Sequence, residues 1–394
     1  MKNFTEVIER IRIQSDAVQA DLISFLETIV NKESGSYDTE DVNALGDFLQ
    51  AICQGMGAQI TRPKSSVHGD PIACTFNCGE DPDARRVLLV CHRDTVFPHG
   101  TAEIRPFTQD EQKGYGPGCA DMKGGIDIGI HAIKVLNSMK DIIAPIPIEI
   151  IFTSDEEIGS EASSGFVKER AKNAKVAFFL EPARASGALV IGRDGGDIFE
   201  IEAYGRSSHA GNAFEEGVSA VHGLARVIGR MSELSDAKAG YSTNIGLVDG
   251  GDGAIIVADH ACCKGYTRFS TLEQREFLRE NFRKICAEES QKGLKIEMKD
   301  PVGFLPFLTN EKNQMLFSLV CEAGRLFDLN LDGLHVRGAA DAGITSTEGV
   351  PTICGMGPVG ANLHTDREWV LKASLSERLK VLTAAILLAN EKFQ

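Results

Sequence analysis

Apolar residues recur at helical spacing from about Asn3 to Val30, with charged residues between them, and predict an amphipathic helix. Thr39 to Met56 repeats that pattern. The pattern then tightens: Arg86-Val87-Leu88-Leu89-Val90-Cys91 is short and almost continuously apolar, as expected of a strand buried on both faces of a mostly parallel sheet. Similar runs follow at Ile148-Glu149-Ile150-Ile151-Phe152-Thr153 and Val176-Ala177-Phe178-Phe179-Leu180. Helix-like stretches, Lys123 to Met139 and Ser164 to Lys172, lie between them. Strand and helix alternate, which predicts an α/β fold with a mostly parallel sheet sandwiched by helices.

Beyond residue 195 the character changes. Ile198-Phe199-Glu200-Ile201-Glu202-Ala203-Tyr204 alternates with period two, as a half-exposed strand does, and a helical stretch from Gly217 to Leu234 follows. Thr243 to Val248 and Ala254 to Ala258 read as further strands, and Thr271 to Glu289 as a charged helix. This order predicts an α+β domain over 196–306, inserted between a first part, 1–195, and a second part, 307–394, of one larger domain.

Composition narrows the partners. The 394 residues are 43% hydrophobic and 25% charged, with a formal net charge of -15, which disfavours nucleic acid and anionic membranes. No apolar run approaches the roughly 20 residues that cross a bilayer. Ten cysteines are scattered without a disulfide-like framework or a CxxC pair, and the N-terminus lacks a signal-peptide pattern. A cytoplasmic protein with free thiols is expected.

Five short segments carry the candidate chemistry: Cys91-His92-Arg93-Asp94-Thr95, Ala120-Asp121-Met122-Lys123, Ser154-Asp155-Glu156-Glu157, Leu180-Glu181-Pro182 and Leu363-His364-Thr365-Asp366. Metal hydrolases use this residue set, with imidazole and carboxylate on the metal and a spare carboxylate for protons. In α/β sheets functional groups gather beyond the carboxyl ends of strands, where His92, Glu156, Glu157 and Glu181 are expected. His92 and Asp94, two apart in an extended segment, share a face, so that one can bind metal and the other orient it. A solvated His-Asp pair is the alternative. Asp121 equally suits a helix cap, and Glu156-Glu157 a solvated acidic turn. Adjacent carboxylates after a buried strand are costly unless neutralised, so one can bind metal while its neighbour serves as general base. Alternation sends Cys91 to the face opposite His92. His68, His99, His131, His222, His260 and His335 show no carboxylate constellation.

In this order the motifs resemble the dizinc exopeptidase and deacylase family of glutamate carboxypeptidase, acetylornithine deacetylase, succinyl-diaminopimelate desuccinylase and aminoacylase. The similarity runs from His92-Arg93-Asp94-Thr95-Val96 through Gly116-Pro117-Gly118-Cys119-Ala120-Asp121-Met122-Lys123-Gly124-Gly125 and Thr153-Ser154-Asp155-Glu156-Glu157-Ile158-Gly159-Ser160 to His364-Thr365-Asp366-Arg367-Glu368. The resemblance implies two zinc ions per subunit, with cobalt or manganese as possible substitutes. It implies His92 and Glu181 on one ion, Glu157 and His364 on the other, and Asp121 bridging them. It further implies that Asp94 orients His92, that Glu156 is the general base and that the Asp121-Met122 peptide bond is cis. The inserted domain resembles the family's lid and dimerisation domain. Its segment Gly205-Arg206-Ser207-Ser208-His209-Ala210-Gly211 implies that His209 stabilises an oxyanion across a homodimer. Asn244 is similar to a substrate-contacting position.

Glu181-Pro182-Ala183-Arg184 and Gly187-Ala188-Leu189-Val190-Ile191-Gly192-Arg193 look most like the glutamate carboxypeptidase subgroup, which implies release of a C-terminal amino acid from a small peptide or N-acyl amino acid. Arg268, in Tyr266-Thr267-Arg268-Phe269-Ser270, is the expected partner of the terminal carboxylate. The chain departs from the family at Tyr266 or Gly265, where an acid is usual, at Ala254-Ile255-Ile256-Val257-Ala258 and at Ala340-Asp341. These departures touch the substrate rather than the metal set. A deacylase or dipeptidase is the alternative within the family, and a non-catalytic peptide- or metal-binding module the alternative outside it. An intact Glu156 favours catalysis, because a binder has no use for a base.

Overall fold

The computed structural model describes residues 4–79, 84–291 and 293–393, and divides into two compact units. The first comprises the residues up to Gly192, Phe307–Val336 and the residues from Asp341 onward. The second comprises Arg193–Pro306 with Arg337–Ala340.

In the first unit the N-terminal amphipathic stretch forms two helices, α1 (Phe4–Ala17) and α2 (Gln19–Val30), rather than one. The division falls at Val18, whose backbone (φ -93°, ψ 10°) departs from helical values; Asn3 lies outside the described residues. Helix α3 (Thr39–Gly55) starts at Asp38, whose side chain accepts from the Asp41 amide and so caps an end with no intrahelical acceptor.

The continuous apolar runs make the sheet. Its strands are β1 (Gln59–Thr61), β2 (Ile72–Phe76), β3 (Arg86–His92), β4 (Ile148–Thr153) and β5 (Ala174–Phe179), in the order β1-β2-β4-β3-β5, with Thr352–Ile353 at the far edge. The pairs β4-β3, β3-β5 and β5 with Thr352–Ile353 are parallel, whereas β1 and β2 run antiparallel at the other edge. Every residue of β3 and β4 is buried, as strands covered on both faces require. Alternation within β3 sends Val87, Leu89 and Cys91 into one apolar cluster and Leu88 and Val90 into the other.

Helix α4 (Gly124–Ser138) begins against the end of β5, and glycine makes that approach possible. A Cβ on Gly125 would lie 2.0 Å from the Leu180 carbonyl oxygen. A smaller four-stranded sheet joins Gly360–Ala361, Trp369–Leu371, Lys113–Tyr115 and Thr108–Gln109 in that order.

The second unit is a five-stranded antiparallel sheet. Its main path orders β7 (Ser242–Gly250), β8 (His260–Phe269), β6 (Gly195–Tyr204) and β9 (Lys295–Met298), and Val302–Phe304 also pairs with β6. Helices Ala220–Ser232 and Leu272–Glu289 pack on one face, around Phe199, Ile201, Phe269 and Phe282. Of the expected strand Ala254 to Ala258, only Ile256–Val257 pairs, with Ser208–His209. Gly250 and Gly251 turn the chain away with φ of 156° and 79° before the segment can extend. The helix expected from Gly217 begins at Ala220, where the Ser219 side chain accepts from the His222 amide. All ten cysteines are free, and no described helix is long and apolar enough to cross a membrane.

Gly125→Ala is expected to destabilise the first unit by about 1–3 kcal/mol through overpacking, read from the urea midpoint. Gly165→Ala, in the helix Ser164–Ala171 with open space around its Cβ position, stabilises by about 0.4–1 kcal/mol. Equal effects of the two substitutions would contradict the packing at Leu180.

Candidate metal centre

Three neighbouring strand ends supply most of the site. His92 closes β3, Glu156 and Glu157 lie in a short turn after β4, and Glu181 follows β5. Asp121 comes from the irregular turn Cys119–Lys123, which Gly118 enters with φ +70°. His364 lies in the connection between Gly360–Ala361 and Trp369–Leu371, two paired strands of the small sheet. Since Trp369–Leu371 also pairs with Lys113–Tyr115, that sheet carries both His364 and the approach to Asp121.

Asp121 divides its carboxylate between two imidazoles. Its Oδ1 is 3.1 Å from His92 Nε2, and its Oδ2 is 3.2 Å from His364 Nε2. Glu181 Oε1 lies 3.8 Å from the His92 nitrogen, and Glu157 Oε2 3.1 Å from that of His364. Asp121 is not a helix cap: α4 starts at Gly124 with Lys123 in the cap position and no side-chain cap bond, the Asp121 oxygens face the two imidazoles instead, and the Asp121-Met122 bond is cis. Nor is the acidic turn solvated, for Glu156 is buried.

His92 Nδ1 lies 3.0 Å from the Asp94 carbonyl oxygen and 3.6 Å from Asp94 Oδ1, so both nearby groups are acceptors and the Nδ1 proton is assigned there. Its Nε2 lone pair then points at carboxylate oxygens, an arrangement that calls for a cation or a second proton. Donor atoms about 2.0–2.1 Å from one tetrahedral zinc stand about 3.3 Å apart, close to the spacings around both Nε2 atoms. His92, Asp121 and Glu157 each bring one donor within 4.8 Å of the others. Glu157 Oε1 is buried without a hydrogen-bond partner. Donor type, spacing and this unsatisfied oxygen fit bound metal.

Asp94 ties the strand ends together. Its Oδ1 accepts from the Glu156 amide at 3.2 Å, and its Oδ2 from the Glu157 amide at 3.2 Å and the Ser36 hydroxyl at 2.7 Å. Burial opposes its charge, but bonds to His92 and Ser36 prevail and hold its pKa below the usual value. The Glu156 carboxylate, unlike its amide, has no hydrogen-bond partner among the described residues. Burial, reinforced by the charge of Glu181, raises its proton affinity well above that of an ordinary glutamate. Hydrogen bonds to Asp121 and Glu157 push His364 up to about 10, and for His92 the charge of Glu181 and the Asp121 contact outweigh burial in the same direction.

Residues 88–388 match peptidase family M20/M25/M40. The chain belongs to this family. The resemblance read from the motifs is thereby borne out. The chain is 28% identical over 381 residues to carboxypeptidase G2 of Pseudomonas sp. (strain RS-16), spanning 94% of this chain and 89% of that one. Acetylornithine deacetylase of Proteus mirabilis is 31% identical over 192 residues, 45% of this chain and 48% of that protein. A tripeptidase from Staphylococcus aureus shares the fold with a TM-score of 0.75 at 20% identity, over 95% of this chain and 99% of that one. An M20 family metallo-carboxypeptidase from Sulfolobus solfataricus does so with a TM-score of 0.70 at 15% identity, over 94% and 99%.

The remaining candidates of this M20 peptidase lie in its second unit. Asn244 and Arg268 share one face of the sheet, because register pairs Asn244 with Tyr266 and Ser242 with Arg268. Arg268 pairs with Asp194, whose other oxygen accepts from Ser270 at 2.8 Å. Asp194 stands just before β6, so that Arg268 has a carboxylate beside it although none precedes it at Gly265 or Tyr266. His209 stands on the short ladder with Ile256, and its Nδ1 accepts from the Gly211 and Asn212 amides at 3.1 Å. This leaves the His209 proton on Nε2.

The sequence reading needs correction at three other histidines. His99 lies 2.5 Å from Asp41 and 3.8 Å from Asp38, His131 2.8 Å from Asp127, and His260 2.6 Å from Glu202. The first and third pairings join distant segments, invisible to a local scan; the second, at i, i+4 on a helix, was legible. Glu368 was also passed over. Its Oε2 accepts from the Gly118 amide at 3.0 Å, and its Oε1 from those of Ala120 at 2.9 Å and Asp121 at 3.0 Å. Its one local signal was its place shortly after His364.

Ser36→Ala is expected to lower unfolding free energy by about 1.5–3 kcal/mol, since it removes a buried hydrogen bond to a charged group. An unchanged urea midpoint would contradict the role of Ser36 beside Asp94.

Proposed function

We propose that this M20 peptidase is a two-zinc amidohydrolase of carboxypeptidase type, which releases a C-terminal amino acid from a small peptide or N-acyl amino acid. The division of one Asp121 carboxylate between His92 and His364, each with a further glutamate beside it, carries this reading. In it, residues 1–195 and 307–394 form the catalytic domain, and 196–306 the lid and dimerisation domain. His92 and Glu181 would hold one ion, Glu157 and His364 the other, and Asp121 would be shared between them. Cobalt or manganese suits the same nitrogen and oxygen donors.

Metal ions held by these residues would supply Lewis-acid chemistry, acidifying a water and polarising the scissile carbonyl. Glu156, buried and with its carboxylate free of hydrogen-bond partners among the described residues, takes the proton of the attacking water and delivers it to the leaving nitrogen. Asp94 orients His92 through its carbonyl and fixes the Glu156-Glu157 turn through its carboxylate. His209, with its proton on Nε2, donates to the developing oxyanion in the partner subunit of a homodimer. Asn244 and Arg268 contact the substrate. Asp194 holds one arm of the Arg268 guanidinium and leaves other donors for a terminal carboxylate. The similarity to carboxypeptidase G2 along nearly the whole chain supports the peptidase reading over the deacylase one. Ten free cysteines suit a cytoplasmic enzyme.

Glu156→Gln is expected to retain its metal, measured by elemental mass spectrometry, while kcat falls by about 10²–10⁴-fold. Full turnover would remove Glu156 from the mechanism. Zinc-loaded protein given a peptide and N-acyl amino acid panel should release free C-terminal amino acids, detected by mass spectrometry. Cleavage confined to acyl groups would favour the deacylase, and no hydrolysis at all the binding module. Mixing the inactive Glu156→Gln and His209→Ala proteins should restore part of the activity; no rescue despite subunit exchange would place His209 outside the partner's site.

A further inference from the structure

The turn that presents Asp121 is held by an anion from another part of the chain. Glu368 is 1% exposed, and its two oxygens receive the amide protons of Gly118, Ala120 and Asp121. The backbone there is non-helical at Asp121 and Met122, so these amides lack the regular acceptors of a helix, and a carboxylate is the strongest available substitute. Glu368 sits in the same strand connection as His364, just before Trp369–Leu371. One side chain therefore links the loop of one imidazole to the turn of the carboxylate that faces it. The two segments also approach closely: a Cβ on Gly360, at the start of this connection, would lie 2.5 Å from the Ala120 Cβ. With both oxygens engaged by amides, Glu368 acts through Asp121 rather than on substrate or metal.

We propose that Glu368 is the positioning residue that sets the Asp121 carboxylate between His92 and His364. The proposal rests on the two-ion reading of Asp121. Glu368→Gln keeps the shape but places a donor NH2 where one carboxylate oxygen stood, so that at least one backbone amide faces a donor. Glu368→Ala removes every acceptor.

The test compares zinc affinity, by competition with a chromophoric chelator, with kcat, KM and the circular dichroism and melting of the metal-free proteins. Glu368→Gln is expected to keep the wild-type spectrum, to bind zinc about 10- to 100-fold more weakly and to lose kcat with little change in KM. Glu368→Ala should lose more. A folded Glu368→Gln with wild-type zinc affinity and kcat overturns the proposal, as does a lowered melting temperature with zinc affinity unchanged. Should Glu368→Gln not fold, Glu368→Asp, which keeps the charge one methylene short, is read by the same criteria. A wild-type protein that binds no zinc overturns the two-ion reading and this proposal with it; wild-type binding unaltered in the variant overturns this proposal alone.

Discussion

The two contacts of Asp121, one oxygen toward each imidazole, are the constraint around which the first unit is arranged. A carboxylate can face two imidazole nitrogens and two further carboxylates in a largely buried place only when positive charge is shared among them. Meeting that condition requires side chains from distant parts of the chain at one point. Parallel strands deliver His92, Glu157 and Glu181 to one edge, and the small sheet delivers Asp121 and His364. Asp94 and Glu368 then fix the joints, each as a buried carboxylate bonded to backbone amides. The same device, an anion holding irregular backbone, is used on both sides of the centre.

In the proposed reading, chemistry and selectivity fall to separate groups of residues. The first unit holds His92, Asp121, Glu156, Glu157, Glu181 and His364. The second presents Asn244, Tyr266 and Arg268 on one sheet face, opposite the face that its helices cover. Arg268 still has a carboxylate beside it, because Asp194, just before β6, pairs with its guanidinium.

Much of this was legible in the sequence, for particular reasons. Strands β3, β4 and β5 are continuous apolar runs, which read plainly, and the residues just past them belong at the functional edge of such a sheet. The family resemblance then connected Asp121 and His364 to that edge, which periodicity alone had not done. What escaped was set by tertiary contact. Glu368 looks like any surface glutamate until the small sheet carries it beneath Asp121, and His99 gains its acids only when α3 packs beside it. Asp94 was expected beside His92, and there both its carbonyl, at 3.0 Å, and its carboxylate, at 3.6 Å, face Nδ1; that the carboxylate also receives the Glu156 and Glu157 amides was not legible.

The central claim is that two metal ions share Asp121. Crystals of the zinc-loaded protein, measured with X-rays on both sides of the zinc absorption edge, locate those ions directly. The account predicts two anomalous peaks flanking the Asp121 carboxylate, one beside His92 and Glu181 and the other beside Glu157 and His364. A single peak, or peaks away from these residues, would contradict it.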